Sequence, residues 1–158
     1  LQAYARIDGA PPLVLVGTRE RDTPRQLPAG VHIVEDASFA DVVGAWDRSL
    51  FGVLPSRMAE PLGSVVYEGM SRGRAVIGTY PGGHTDMIVD GESGLLVPAG
   101  DADALERAMR RLLDDPALRE RLGGAARARA EAFTAARVIP ALEGLLERVA
   151  AGRGGGRA

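Results

Sequence analysis

The sequence predicts an α/β protein built on a doubly wound parallel sheet, with helices at its C-terminal end. Short apolar runs bounded by turn residues recur between residues 13 and 97. Most of these runs are continuous rather than alternating, as is typical of parallel strands buried on both faces. Helical patterns lie between the runs, and strands that alternate with helices favour a parallel sheet with right-handed crossovers. A chain of 158 residues is long enough for one such domain.

The predicted strands and helices alternate along the first two thirds of the chain. The strands are residues 13–16, 31–34, 50–54, 75–79 and 95–97. The helices between them are residues 39–47, 64–72 and 84–89. In the first helix the apolar residues recur at helical spacing, and Trp46 is one of them, so we expect its side chain to lie in the core.

Only helical patterns follow Pro98. Asp101 is a plausible N-cap of a helix with an apolar stripe, and Pro116 suits the first turn of the next helix. Thr134 is positioned to cap a last helix, in which Pro140 would lie in the first turns or cause a kink. Residues 150–158 are rich in Gly and Arg and are predicted to be disordered, which leaves residues 1–149 as the folded domain.

Composition excludes several classes of function. The formal net charge is −2 and aromatic residues make up 4% of the chain, so neither charge nor stacking favours nucleic acid, and nothing in the charge favours a membrane. There is no Cys, which excludes disulfides and thiolate metal sites. No apolar run approaches the roughly 20 residues of a membrane span. No signal peptide is visible, and we expect a cytoplasmic protein.

Two glutamates, Glu60 and Glu68, flank a turn that contains Gly63 and opens a predicted helix. The free N–H groups of a helix start suit a phosphate. A carboxylate can accept two hydrogen bonds from the diol of a ribose or a sugar. A second glycine turn, Gly82-Gly83, follows the next predicted strand. An anion site beside hydroxyl-binding carboxylates indicates a site for a nucleotide-sugar.

The order and spacing of a larger set of residues carry a family resemblance. The set is Pro55-Ser56, Glu60, Gly63, Glu68, Gly69-Met70, Gly73, Ala75-Val76-Ile77, Gly82-Gly83, Gly91 and Gly94-Leu95-Leu96-Val97-Pro98. It resembles the donor-binding half of retaining glycosyltransferases with the GT-B fold, in the glycosyltransferase group 1 family. The resemblance implies a Rossmann-like domain that forms one half of a GT-B fold.

The resemblance also implies roles for individual residues. The candidates are Glu60 as the catalytic residue and Leu62, Gly63, Ser64, Glu68, Gly82, Gly83 and His84 as donor-binding residues. Glu60 would contact hydroxyls of the donor sugar and Glu68 those of the ribose, while backbone N–H groups near Gly63 would face the phosphates. Asp86 stands where the family usually carries Glu, which puts its role in doubt.

Simpler interpretations of the same residues stay open. Glu60 would then be a solvated loop residue, and Glu68 would form a surface ion pair with Arg72 at i+4. Gly82-Gly83 would be a plain strand-to-helix turn, and a lone His such as His84 is commonly just exposed.

The implied activity is transfer of a sugar from a UDP- or GDP-sugar to an acceptor with retention at the anomeric carbon, as in a hexosyltransferase. No Asp-x-Asp dyad occurs in residues 55–97, in agreement with the reaction without metal or cofactor that the resemblance implies. The alternatives are a sugar-nucleotide epimerase of the same fold and a non-catalytic domain that binds a nucleotide-sugar or a protein.

Family members have further segments before the part that this chain resembles. These are a strand, a turn whose Arg and Lys grip the pyrophosphate, and an N-terminal acceptor-binding domain, through which any peripheral membrane contact would be made. We therefore expect a domain truncated at its N-terminus, inactive alone. The absent strand would lie between the strands at 13–16 and 50–54, so we expect these two either to pair directly or to receive a strand from outside the chain.

Overall fold

The computed structural model describes residues 1–19, 21, 23–61 and 63–153. Its strands are β1 (Leu13–Val16), β2 (Val31–Val34), β3 (Phe51–Val53), β4 (Ala75–Tyr80) and β5 (Leu95–Pro98). Its helices are α1 (Phe39–Arg48), α2 (Ser64–Ser71), α3 (His84–Met87), α4 (Ala102–Asp114), α5 (Pro116–Ala130) and α6 (Ala135–Arg153). Every predicted strand and helix is present within one to two residues at each end, and the α/β class is confirmed.

All of the strand pairs are parallel, but they form two sheets. β1 pairs with β2, and the second sheet has the order β3-β4-β5. Of the two alternatives expected for β1 and β3, direct pairing is wrong. Side chains of both sheets, such as Leu15 and Val53, pack into one core cluster, so the sheets are linked through side chains rather than backbone hydrogen bonds. A strand supplied from outside the 158 residues stays a prediction.

The β1–β2 sheet is also less buried than its continuous apolar pattern predicts. Val14 and Val16 of β1 are 48% and 43% exposed, while Leu13 and Leu15 on the other face are half-buried. The described part of residues 17–30, which connects β1 to β2, contains no helix that would cover the exposed face. The pattern of a doubly buried strand therefore holds best for the second sheet.

β4 is the centre of the core. Its residues from Ala75 to Thr79 are all buried, and its side chains alternate between two faces. Ile77 packs on one face with α4 residues such as Met109 and Leu112. Val76 packs on the other face with residues of α2 and α3. Helices therefore cover both faces of β4.

The helix boundaries follow from their caps. Ser38 and Asp41 form a reciprocal capping box at the start of α1, and these hydrogen bonds hold the pKa of the Asp41 carboxyl below its ordinary value. The Asp101 carboxylate caps α4 as predicted, accepting from the N–H of Ala104 at 2.8 Å. Pro116 opens α5, also as predicted.

The last helix begins directly after Thr134 and has Pro140 in its first turns, as predicted, but the Thr134 side chain does not cap it. The hydroxyl of Thr134 donates to the carbonyl of Glu131 at 2.9 Å, so it points back into the preceding turn. α6 continues through Pro140 and ends at Arg153. Residues 150–153 continue the helix that begins at Ala135, residues 154–158 lie outside the described residues, and disorder of the tail stays a prediction. No helix in the described part of the chain combines the length and apolar content needed to cross a membrane.

Candidate functional site

Two loops meet at the carboxyl ends of β3 and β4. One follows β3 and carries Glu60, and the other is the turn at Gly82-Gly83 after β4. The N–H of Gly83 donates to the carbonyl of Glu60 at 2.6 Å. The hydroxyl of Thr79 donates to the carbonyl of Ser56 at 2.9 Å and ties the start of the first loop to β4. The edge of the sheet therefore positions the backbone around Glu60.

The glycine turn has the shape that this contact requires. Gly82 has φ of +147°, which residues with a side chain rarely adopt. At Gly83 a Cβ atom would overlap the carbonyl oxygen of Pro61 and lie 3.0 Å from that of Glu60. Both neighbours are backbone atoms, which cannot rotate away. Any side chain at Gly83 would therefore push the Glu60 loop outward.

The Glu60 carboxylate lies at the surface beside this contact. The residue is exposed, and the hydroxyl of Ser56 donates to its Oε1. One hydrogen bond from Ser56 leaves acceptor capacity on the carboxylate, since two oxygens offer about four lone-pair positions. Glu60 is thus oriented from within its own loop and is able to accept hydroxyl donors from solvent.

The start of α2 has no side-chain cap among the described residues. Gly63 is its N-cap residue. The first N–H groups of an α-helix have no intrahelical partners, and they carry the positive end of the helix dipole. Ser64, the first helical residue, is exposed. Leu62, the candidate before Gly63, lies outside the described residues.

His84 is buried directly beneath this helix start. Its side chain is 2% exposed, and Nδ1 accepts the N–H of Thr79 at 3.1 Å. In a neutral ring the proton is then on Nε2. Nε2 is buried without a hydrogen-bond partner among the described residues, and a Cβ added at Gly63 would lie 2.8 Å from it. The interpretation of His84 as a plain exposed loop residue is therefore wrong, because its ring packs inward against β4 and Gly63.

Glu68 lies one turn along α2 and faces α1. The residue is half-buried, and its Oε2 accepts the indole N–H of Trp46 at 3.3 Å. Arg72 instead pairs with Asp47 at 2.6 Å, so the surface pair that the i+4 spacing allowed is not formed. The apolar residues at helical spacing in α1 predicted only a core role for Trp46, and its hydrogen bond to Glu68 was not predicted.

The structure thus brings most of the candidates together. Glu60, Gly63, Gly82, Gly83 and His84 form one contiguous set, and Glu68 is joined to it through the first turns of α2. The Asp86 side chain is exposed, and its backbone carbonyl accepts from Arg129 at 2.8 Å. The described residues contain no group of three or more His, Asp or Glu side chains that would hold a metal ion.

One polar cavity lies away from the candidate residues. It has a volume of about 350 Å³ and is found at the carboxyl end of α2, the opposite end from Gly63, lined by Asp47, Ser71, Arg72 and Arg127. It contains none of the candidate residues, and its Arg72 is already paired with Asp47. We place the candidate site at the amino end of α2, because the uncapped helix start and the glycine turn are there.

Comparison with known proteins agrees with the resemblance seen in the sequence. A family model described as "Glycosyl transferases group 1" matches residues 2–129. The lipopolysaccharide core biosynthesis glycosyltransferase LpsE of Rhizobium meliloti (strain 1021) is 31% identical over 125 residues, which are 77% of this chain and 37% of that protein. The D-inositol 3-phosphate glycosyltransferase of Paenarthrobacter aurescens (strain TC1) is 37% identical over 117 residues, 65% of this chain and 28% of that protein.

Solved structures show the same fold. Sucrose-phosphate synthase (tll1590) from Thermosynechococcus elongatus superposes with a TM-score of 0.79 at 30% identity, covering 96% of this chain and 41% of that one. Anabaena Alr3699/HepE, solved in complex with UDP-glucose, superposes with a TM-score of 0.74 at 21% identity, covering 81% of this chain and 38% of that one. The chain therefore spans about two fifths or less of the length of these four proteins.

Proposed function

Because this chain belongs to the glycosyl transferases group 1 family, we propose that it is the nucleotide-sugar-binding domain of a retaining glycosyltransferase. The whole protein would transfer a sugar from a nucleoside-diphosphate sugar to an acceptor held by another domain, in the cytoplasm. One observation carries the proposal. The Glu60 loop leads into an uncapped helix start at Gly63, and the turn at Gly82-Gly83 holds that loop by a hydrogen bond to the carbonyl of Glu60.

The diphosphate of the donor would bind at the start of α2. Its oxygens would accept hydrogen bonds from backbone N–H groups at Gly63 and Ser64, where the helix dipole favours negative charge. The buried Nε2 of His84 supplies one more donor aimed at the same turn. When the bond to the sugar breaks, charge develops on the leaving diphosphate, and donors fixed in advance stabilise that charge in the transition state.

The two glutamates would hold the hydroxyl groups on either side of the diphosphate. Glu60 faces solvent beside the glycine turn and would bind hydroxyls of the sugar. Glu68 lies further along α2 and would bind those of the ribose. We expect the remaining positive charge, and the acceptor, to come from outside this chain. Metal-independent transfer is part of the proposal, and an assay of the whole protein with and without EDTA tests it.

Titration of the 158-residue chain with UDP and GDP tests the proposed site. We expect Glu68→Ala to weaken nucleotide binding by about 1–3 kcal/mol, the usual effect of removing a charged hydrogen-bond partner. Glu120→Ala is the matched control, because Glu120 is an exposed glutamate on α5 outside the site. Equal affinities of Glu68→Ala and the unaltered chain would remove Glu68 from the site, and absence of any nucleotide binding would favour a non-catalytic interaction domain.

A further inference from the structure

Trp46 occupies a slot between two glycines. It lies in the last turn of α1, and its ring edge packs between Gly52 of β3 and Gly69 of α2. A Cβ at Gly69 would lie 2.7 Å from Cη2 of the ring, and a Cβ at Gly52 would overlap the same edge. A side chain at either position would displace the indole. The two glycines therefore fix where the ring lies.

The slot aims the indole N–H at Glu68. Nε1 of Trp46 donates to Oε2 of Glu68 at 3.3 Å, which is at the long end of the range for a hydrogen bond. Glu68 precedes Gly69, so the residue that accepts this hydrogen bond is adjacent to the one that the ring packs against. The indole is only a donor, and one donor leaves most of the lone pairs of a carboxylate available.

We propose that Trp46 is a positioning residue for nucleotide binding, whose indole N–H holds the Glu68 carboxylate in the orientation that accepts the ribose hydroxyls. This inference rests on the proposed function, in which Glu68 binds the ribose. A free glutamate side chain loses rotamer freedom when it binds a ligand. A hydrogen bond that holds the side chain before the ligand arrives reduces that loss and so favours binding.

The chain offers a direct test, because Trp46 is its only Trp and gives a single indole signal in a ¹H–¹⁵N spectrum. Trp46→Phe keeps an aromatic ring for the slot and removes the N–H. We expect it to weaken UDP binding about three- to tenfold, in line with the loss of one hydrogen bond. Binding of inorganic pyrophosphate, which has no ribose, should stay unchanged. In a Glu68→Ala background the same substitution should have no further effect on UDP binding.

Asp47→Asn is the matched control. It removes the 2.6 Å ion pair between α1 and α2 at the neighbouring residue without altering Glu68, and we expect unchanged UDP affinity. Equal weakening of UDP and pyrophosphate binding by Trp46→Phe would mean a general loosening of the fold and would overturn the inference.

The outcomes separate this inference from the proposed function. If Glu68→Ala weakens UDP binding and Trp46→Phe does not, the inference fails and the proposed function stands. If Glu68→Ala has no effect on UDP binding, Glu68 is not in the site and the inference fails, whereas the proposed function fails only if the unaltered chain binds no nucleotide. If Trp46→Phe does not fold, the unaltered chain decides: an indole signal that shifts with UDP but not with pyrophosphate supports the inference. A signal that responds to both ligands alike, or to neither, overturns it.

Discussion

One added carbon atom at Gly83 would disrupt the contact between the glycine turn and the Glu60 loop. Gly83→Ala would place a Cβ into the carbonyl oxygen of Pro61, and the N–H of Gly83 would lose its 2.6 Å hydrogen bond to Glu60 if the loop moved away. We expect this substitution to displace the loop, lower the stability of the domain and reduce binding of a nucleotide-sugar.

The magnitude follows from two terms. Loss of one hydrogen bond costs about 1 kcal/mol, and an extra methyl group in a packed position costs about 1–3 kcal/mol. The loop is exposed and relieves part of the overlap by moving, so we expect the lower end of the sum, a fall of about 2 kcal/mol in the free energy of unfolding. For a domain of this size the midpoint of thermal unfolding should fall by about 4–8 °C.

Thermal unfolding followed by circular dichroism measures the loss, with Gly124→Ala as the matched control. Gly124 lies within α5, and no atom lies within 4 Å of the position that its Cβ would take, so alanine there should raise the stability, by up to about 1 kcal/mol. If Gly83→Ala were as stable as the unaltered chain and bound UDP-glucose equally well, the loop contact would not hold Glu60, and the reasoning would be refuted.

Three further predictions concern the site and the helix beside it. In the whole protein, Glu60→Ala should strongly reduce sugar transfer in an enzyme assay but change the UDP affinity measured by calorimetry by no more than about twofold. Parallel losses of transfer and UDP binding would mean that the sugar and ribose roles are wrongly divided between the two glutamates. His84→Asn keeps an acceptor for the Thr79 N–H but is too short to place a donor where Nε2 lies, so pyrophosphate binding should weaken about three- to tenfold in a calorimetric titration. Unchanged binding would exclude His84 from the phosphate site. The hydrogen bonds that lower the pKa of Asp41 stabilise the fold above the ordinary carboxyl pKa, and this stabilisation is lost as the pH falls through the lowered pKa. The difference in unfolding free energy between the unaltered chain and Asp41→Asn, measured in urea, should therefore shrink between neutral pH and about pH 2. A difference that stays constant with pH would contradict this.

The sequence predicted the elements well because they are local. A buried strand such as β4 needs only a continuous apolar run between turns. Helix starts such as those at Asp101 and Pro116 depend on the residues at the start itself. The backbone contact at Gly83 was also foreseeable in kind, since adjacent glycines after a strand indicate close approach of another segment.

What the sequence could not show were contacts between segments far apart in the chain. The separation of β1 and β3 into different sheets is set by contacts between distant segments, and no local pattern records it. The hydrogen bond from Trp46 to Glu68 joins residues 22 apart, and it depends on a slot between two glycines that only the fold brings together. The burial of His84 arises in the same way, from Gly63 closing over its ring.

The central claim is that a nucleotide-sugar binds across the start of α2, and a crystal structure of the protein with UDP bound tests it most directly. We predict phosphate oxygens within hydrogen-bond distance of the backbone N–H groups at Gly63 and Ser64, and a ribose whose hydroxyls contact the carboxylate of Glu68. A nucleotide bound elsewhere, for example in the cavity at Asp47 and Arg72, with Glu68 untouched, would contradict the account.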